Sequence, residues 1–397
     1  MTSSFQNTLF LLILLIATLL VCGCSKEDET VPGAVPTIPG PSIAEIEGIT
    51  SNEGSFLMYD SIGRQVVVPK QISSVICSGE GCISLFTLLQ VEDRIVGVDA
   101  SEIVQTDQDF REYQHAYPKF SSLRVISGQD GNADPNRIQR ISPLPDLIFL
   151  ADNEKGYNPD ELQRLTGIPV LVVRSGDLVE KQDEFEYSLR LMGIVLQVRT
   201  RAEDVIQFFR TLKENLKDRI AVLSDDTIRT AYVGGTSDGY PRDVLYTTPH
   251  YMPFVLAGVN QVPYSVTTNN QAGSPVHITL QELVAEQPQG VFIDLATLQN
   301  KDNAVTELQT YPTYTRITAI SEGAVYGLLP SDRGASNYGS ILANAYFIGK
   351  TLYPDKYTDV NPESMADDIF TFLYGKPLFY EMNTSLSEYA FHEIPLS

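Results

Sequence analysis

Hydrophobic and polar positions divide the chain into an apolar leader, a Pro/Gly-rich spacer and a long alternating body. Leu9 to Val21, LFLLILLIATLLV, carries no charge. It falls short of the roughly 20 apolar residues a membrane-crossing helix needs, so it predicts the core of an export signal. The following VPGAVPTIPGPS sets Pro32, Pro36, Pro39 and Pro41 among small residues, which precludes helix and favours an extended, semi-rigid spacer. From Phe56 the text turns α/β. FLMYDSIGRQVVVP predicts two strands about a Ser61-Ile62-Gly63 turn. SSVICS (73–78) reads as a buried strand, CISLFTLLQ (82–90) as a helix and RIVGVDA (94–100) as another strand. Helices are predicted over 134–141 and 158–167, and strands over 145–151 and 168–175.

The rhythm then changes. EKQDEFEYSLRLMGIVLQ is helical in pattern, and beyond it Ala202, Val205, Ile206, Phe209, Leu212, Leu216, Ile220 and Leu223 recur at spacings of three and four. That periodicity predicts a helix longer than the globular average. After it the alternation restarts: strand at 227–235, helix at 248–260, helix then strand across 279–295, strand at 324–331, and helices at 337–354 and 361–376. DPNRIQRISPLPDLIFL (134–150) and TLQELVAEQPQGVFIDL (279–295) repeat one helix–Pro–strand unit in each half. Apolar strands alternating with helices predict parallel sheets covered on both faces, hence two α/β lobes joined by one long helix.

Charge and composition narrow the classes. The chain of 397 residues has 50 Asp+Glu against 28 Lys+Arg, a net charge of −22. Such acidity excludes a nucleic-acid partner and electrostatic adhesion to an anionic membrane. Four cysteines and four histidines make no zinc pattern. No nucleotide-binding, metalloprotease or serine-hydrolase signature is present, so enzymatic chemistry has no support in the sequence.

Several motifs in order carry a resemblance. YDSIGRQVVVPKQISSVICSGEGCISLFTLLQVEDRIVGVDASE, LPDLIFLA, LRLMGIVLQVRTRAEDVIQFF and FLYGKPLF are similar to landmarks of the iron-siderophore and cobalamin class of ABC-transporter substrate-binding proteins, over roughly residues 56–380. The resemblance implies a class III periplasmic-binding fold with a backbone helix at 199–224, between lobes at 51–198 and 225–380, and a tail at 381–397. It also implies a ligand held between the lobes, a membrane permease with its ATPase as partners, and no catalysis. The ligand it implies is a ferric, siderophore-like chelate, with cobalamin or haem next; the protein itself would carry no cofactor and act as a monomer. A surface sensor without a permease and a chelatase-like enzyme are the competing readings. At the N-terminus, Val21-Cys22-Gly23-Cys24 resembles a lipobox, making residues 1–23 the signal, Cys24 the lipid site and 24–50 a stalk outside the cytoplasmic membrane.

In open α/β sheets, ligands bind beyond the carboxyl ends of strands. That rule selects Ser78, Gly79, Glu80 and Gly81, then Asp99 and Asp152, in the first lobe. In the second it selects Thr236, Ser237, Tyr240, Tyr251, Arg333 and Tyr338, with Asp294 nearby; Tyr and Arg suit flat, oxygen-rich complexes. No compact set of Tyr, His and carboxylate oxygens supports a bare-metal site. Cys77 and Cys82 flank the Ser78–Gly81 loop and could pair as a disulfide or stand as buried thiols. In the resembled family a glutamate on each lobe docks onto the permease. Here Asn136 and Gln281 occupy those places, leaving Asp134 and Glu282 as the substitutes.

Overall fold

A computed structural model of the chain describes residues 51–52, 54–103, 110–129, 131–151, 158–236, 243–270, 274–331 and 337–396. Its first elements are β1 (Ser51–Asn52), β2 (Ser55–Tyr59) and β3 (Gln65–Pro69), paired antiparallel. The Asp-x-x-Gly-Arg motif explains the turn. Asp60 Oδ1 accepts from the amides of Ile62 (3.1 Å) and Arg64 (2.9 Å), while Gly63 takes a φ of 78° that a side chain would strain. The same buried carboxylate accepts from the Val172 amide, and Arg64 donates to the Val170 carbonyl. One Asp–Arg pair thus folds the hairpin and docks it on the next strand layer.

That layer is a five-stranded parallel sheet in the order β6-β5-β4-β7-β8. Its strands are β4 (Val75–Ser78), β5 (Ile95–Val98), β6 (Arg124–Val125), β7 (Leu147–Ala151) and β8 (Val170–Val173). Helices α1 (Cys82–Leu88), α2 (Glu112–Ala116), α3 (Pro135–Ile138) and α4 (Pro159–Thr166) intervene. Successive strand residues face opposite sides. Ile76, Ile148, Leu150, Val170 and Val172 bury with Ile138 and Leu162 on one face, while Val75, Cys77, Phe149, Leu171 and Val173 join the main core on the other.

Helices α5 (Gln182–Val195) and α6 (Arg199–Ile220) follow. At 22 residues α6 is the long helix expected from the spacing, and its apolar stripe buries Ala202, Val205, Ile206, Phe209 and Leu216. Truncating one such aromatic, Phe209, would cost about 3–5 kcal/mol. Then come β9 (Thr230–Gly234), β10 (Tyr246–Thr247), α7 (Met252–Ala257), β11 (Asn260–Gln261), α8 (Tyr264–Asn269), β12 (Val276–His277), α9 (Leu280–Glu286), β13 (Gly290–Asp294), α10 (Ala304–Thr310), α11 (Thr318–Ser321) and β14 (Val325–Leu328). The order β11-β9-β13-β14 makes a second parallel sheet; β10 and β12 pair apart from it. Where the sequence predicts one helix over 248–260, the chain instead makes a short α7 framed by β10 and β11. Pro253 sits in the first turn and Gly258, with a φ of 65°, ends the helix.

Helices α12 (Tyr338–Leu352), α13 (Pro362–Tyr374) and α14 (Phe379–Ser385) close the chain. The chain crosses back between lobes here. Phe372 of α13 stacks on Phe208 of α6 at 3.9 Å, and Arg201 of α6 donates to the Phe372 carbonyl. Residues beyond α14 run along β14, with Ala390 and Glu393 bridging Gly327 and Tyr326. One hydrophobic cluster extends from Phe149 of the first sheet through Phe209 to Phe292 of the second. Among the described residues, no helix is long and apolar enough to cross a membrane.

Candidate functional site

The Ser78–Gly81 loop leaves the carboxyl end of β4 and enters α1. A disulfide joins Cys77 to Cys82, with Cα atoms 5.7 Å apart, and closes the loop at its base. Gly79 has a φ of 88°, and a Cβ there would lie 2.0 Å from the Ala151 carbonyl oxygen. Only glycine allows the loop to pass so close to the end of β7. Asp99, following β5, accepts from Ser78 Oγ (3.0 Å) and from the Gly79 amide (2.7 Å). Burial pushes the Asp99 carboxyl up to about 6, against the lowering effect of those two hydrogen bonds. The donors that an anionic ligand would use at this loop therefore already face an internal carboxylate. Glu80 points outward, exposed, while its carbonyl accepts from Ser175 Oγ at 3.2 Å.

In the second lobe Asp294 ends β13. Its Oδ1 accepts from the Ala296 amide and its Oδ2 from the Ser331 amide and Oγ. Tyr251 OH lies 2.7 Å from Ser331 Oγ. Thr236 is buried, with Oγ1 3.4 Å from the Tyr246 carbonyl.

The expectation that Tyr251 and Tyr338 present their rings to a ligand needs correction. Tyr251 is 2% exposed and edge-on to Phe254. Tyr338 is fully buried against Phe185, with ring centroids 4.7 Å apart, and its hydroxyl donates to the Ser175 carbonyl. Aromatic area beside an apolar core is better buried than hydrated, and the phenol then needs a partner, which each finds. Asp152, Ser237, Tyr240 and Arg333 lie outside the described residues, as does Cys24.

Neither candidate docking acid is idle. Asp134 caps α3 by accepting from the Asn136 amide at 2.8 Å. Glu282 closes a capping box on α9, accepting from the Thr279 amide and hydroxyl, which lowers its carboxyl pKa. Both residues sit at the helix start of the repeated helix–Pro–strand unit, one in each lobe.

Reasoning from sequence passed over a centre at the lobe junction. Glu112, fully buried, accepts from the Gly339 amide (2.9 Å), the Ser340 amide (2.8 Å), Ser340 Oγ (2.9 Å) and Tyr374 OH (2.5 Å). Burial raises its carboxyl pKa, with Tyr374 leading the hydrogen bonds that oppose the shift. Asn337 donates to the carbonyls of Phe110 and Pro330. With Tyr338 on Ser175, the segment following β14 thus meets the segment after β8 and the start of α2. Loops from the carboxyl-end sides of both sheets converge here. The partners of Glu112 lie 227 to 262 residues away, so no local periodicity could have indicated them.

A model of the periplasmic binding protein family matches residues 75–331. The molybdate-binding protein MolA of Haemophilus influenzae is 18% identical over 341 residues, covering 80% of this chain and 90% of that protein. Among solved structures, a periplasmic solute binding protein from Veillonella parvula superposes with a TM-score of 0.64 at 14% identity, covering 83% of this chain and 96% of that one. An ABC transporter solute binding protein from Sulfurospirillum deleyianum superposes with a TM-score of 0.62 at 18% identity, covering 84% and 99%. These structural likenesses carry the fold: two lobes with parallel sheets flanked by helices and joined by one long helix.

Proposed function

Because the chain belongs to the periplasmic binding protein family, we propose that it is the extracytoplasmic receptor of an ABC importer, holding a chelated iron complex between its lobes and passing it to a permease driven by an ATPase. The observation that carries the reading is the convergence of loops from the carboxyl-end sides of both sheets at Ser175, Glu112 and Asn337–Ser340. Such ends are where open α/β sheets take ligands. The protein performs no covalent chemistry in this reading.

Ligand chemistry follows from Asp99. With Ser78 Oγ and the Gly79 amide committed to a carboxylate, the first-lobe loop offers acceptors and negative charge. It suits a complex presenting hydroxyl or cationic groups better than a bare oxyanion such as the one named for the Haemophilus relative. Cobalamin and haem are the alternative cargoes. Melting the detergent-solubilised chain with ferric tris-catecholate, ferric hydroxamate, haemin, cyanocobalamin and molybdate tests this. A ligand at 100 times its Kd adds about 2.7 kcal/mol of stability. A shift with molybdate alone moves the ligand class, and no shift with any iron complex removes the iron reading.

Export and anchoring complete the proposal. Residues 1–23 are removed, Cys24 carries lipid, and the Pro-rich stalk holds a monomeric receptor near its permease. Metabolic labelling with a fatty-acid analogue should mark the wild type and miss Cys24→Ala. Asp134 and Glu282 are the proposed permease contacts; charge reversal at both should stop uptake while leaving the ligand-induced melting shift in place. Reversal at Asp134 also removes the α3 cap and reversal at Glu282 removes its half of the α9 capping box, each at a cost of about 1 kcal/mol. Melting must therefore be measured alongside, and unchanged uptake would reject the contact.

A further inference from the structure

The start of α12 is one place where the second lobe is fastened to the first, beside contacts of α13 such as that of Tyr117 OH with the Tyr374 carbonyl. Four consecutive residues reach across. Asn337 donates to the Phe110 carbonyl, and its own Oδ1 lies 3.3 Å from the Glu112 amide nitrogen, which donates to it. Tyr338 donates to the Ser175 carbonyl at 2.7 Å. Gly339 and Ser340 give their amides to Glu112. A helix leaves its first amides without internal partners and concentrates positive potential at that end. Here a carboxylate of the same chain fills that place. A buried carboxylate is costly unless every oxygen is bonded, and both oxygens of Glu112 are: Oε1 by Gly339 and Tyr374, Oε2 by Ser340 twice.

The local sequence is shaped around this contact. A Cβ on Gly339 would lie 3.0 Å from Glu112 Oε2 and 2.9 Å from a ring carbon of Phe370. A side chain there would push the carboxylate off the helix. Tyr374, the third partner, comes from α13, the helix that returns to pack on α6. Glu112 therefore joins three elements: α2 of the first lobe, α12 of the second, and α13, which touches the linking helix.

We propose that Glu112 is a positioning residue for ligand capture: its carboxylate, seated on the amino end of α12, fixes the spacing of the two lobes before any ligand arrives. The functional meaning rests on the receptor reading, but the device itself is independent of any ligand. Replacing Glu112 by Gln keeps the shape and turns one accepting oxygen into a donor. Whichever way the amide lies, an NH2 group then faces N–H or O–H donors, and the seat is lost.

The test needs no ligand. Spin labels are carried on ketone-bearing amino acids at Asn136 and Gln281, exposed positions on opposite lobes, in the full chain with the Cys77–Cys82 disulfide intact. Wild type should give one narrow distance distribution. Glu112→Gln should broaden it by about twofold or shift its mean, as freed packed elements slide or rotate. Gly339→Ala should do the same, although alanine in a helix is otherwise stabilising. Met58→Ala, which truncates a buried side chain of the β2–β3 hairpin, supplies a control that lowers the melting temperature away from the junction. If Glu112→Gln and Gly339→Ala keep the wild-type distribution while melting earlier, Glu112 is a stability element only and the proposal fails. It also fails if Met58→Ala broadens the distribution equally. A failed ligand panel alongside altered distances would instead count against the receptor reading alone.

Discussion

Asp99 follows β5 of the first sheet, and Asp294 ends β13 of the second. Each uses its carboxylate to hold a loop that leaves a neighbouring strand. Asp99 holds Ser78 and Gly79 beyond β4; Asp294 holds Ser331 beyond β14. The loops differ in what else secures them. The first is closed by a disulfide and tied through its Glu80 carbonyl to Ser175. The second is supported by the Tyr251 hydroxyl on Ser331. The aspartates differ too: Asp294 is fully buried, while Asp99 keeps 7% of its surface in solvent. With the first loop covalently held, its aspartate keeps an edge near water, which is where the proposed ligand would meet it. The second aspartate, part of the core, holds the structure itself.

The largest expected effect is at Asp294. Asp294→Ala leaves the amides of Ala296 and Ser331 and the Ser331 hydroxyl without their acceptor in a dry site. Unsatisfied buried groups cost about 1–3 kcal/mol each, so with three donors orphaned a total loss of at least about 3 kcal/mol is expected in urea unfolding. Asp99→Ala should cost visibly less, since water can replace the carboxylate. Equal losses would erase the distinction between a core aspartate and a reachable one.

A pH series sharpens the contrast. The Asp99 carboxyl sits at about 6 in the folded chain, against an ordinary value of 3.8. A raised acid is favoured protonated in the native state, so its contribution to stability is present below the ordinary value. That contribution is lost as pH rises from about 4 through 6. One pKa unit is worth about 1.4 kcal/mol; the swing expected from Asp99 is thus about 2–3 kcal/mol. Asp99→Asn should remove that swing, so that the variant gains on wild type between pH 4 and pH 7. Parallel stability curves would mean that the native carboxyl ionises like an exposed one.

The sequence conveyed these two aspartates and this junction very unequally. Strand ends and the helix at 199–220 were legible because spacing of apolar residues is a local property. Without any contact information, the carboxyl-end rule pointed to Ser78, Gly79, Asp99 and Asp294, which the structure ties into loops beyond the strand ends; their contact with a ligand is a proposal. Tyr251 and Tyr338 were misjudged for the same reason: an aromatic after a strand end looks alike whether it lines a cleft or plugs a core. Only Phe185, Phe209 and Ser175, far away in sequence, settle where Tyr338 goes. Glu112 was invisible because its four donors come from two helices at the far end of the chain. A charged residue at a helix start reads as a solvated surface position unless its partners are known.

Tyr251→Phe should have the smallest effect. Ser331 would keep Asp294 as a partner for both its amide and its hydroxyl. The phenyl ring would stay edge-on to Phe254 at 5.3 Å. The hydrogen bond of 2.7 Å to Ser331 disappears, and a neutral buried bond contributes about 1 kcal/mol. A melting temperature lower by a few degrees, with the ligand-induced shift unchanged, is the expected result. If the shift itself falls, the Tyr251 hydroxyl contributes to holding ligand, and the second lobe sets part of its loop machinery where a cargo can touch it.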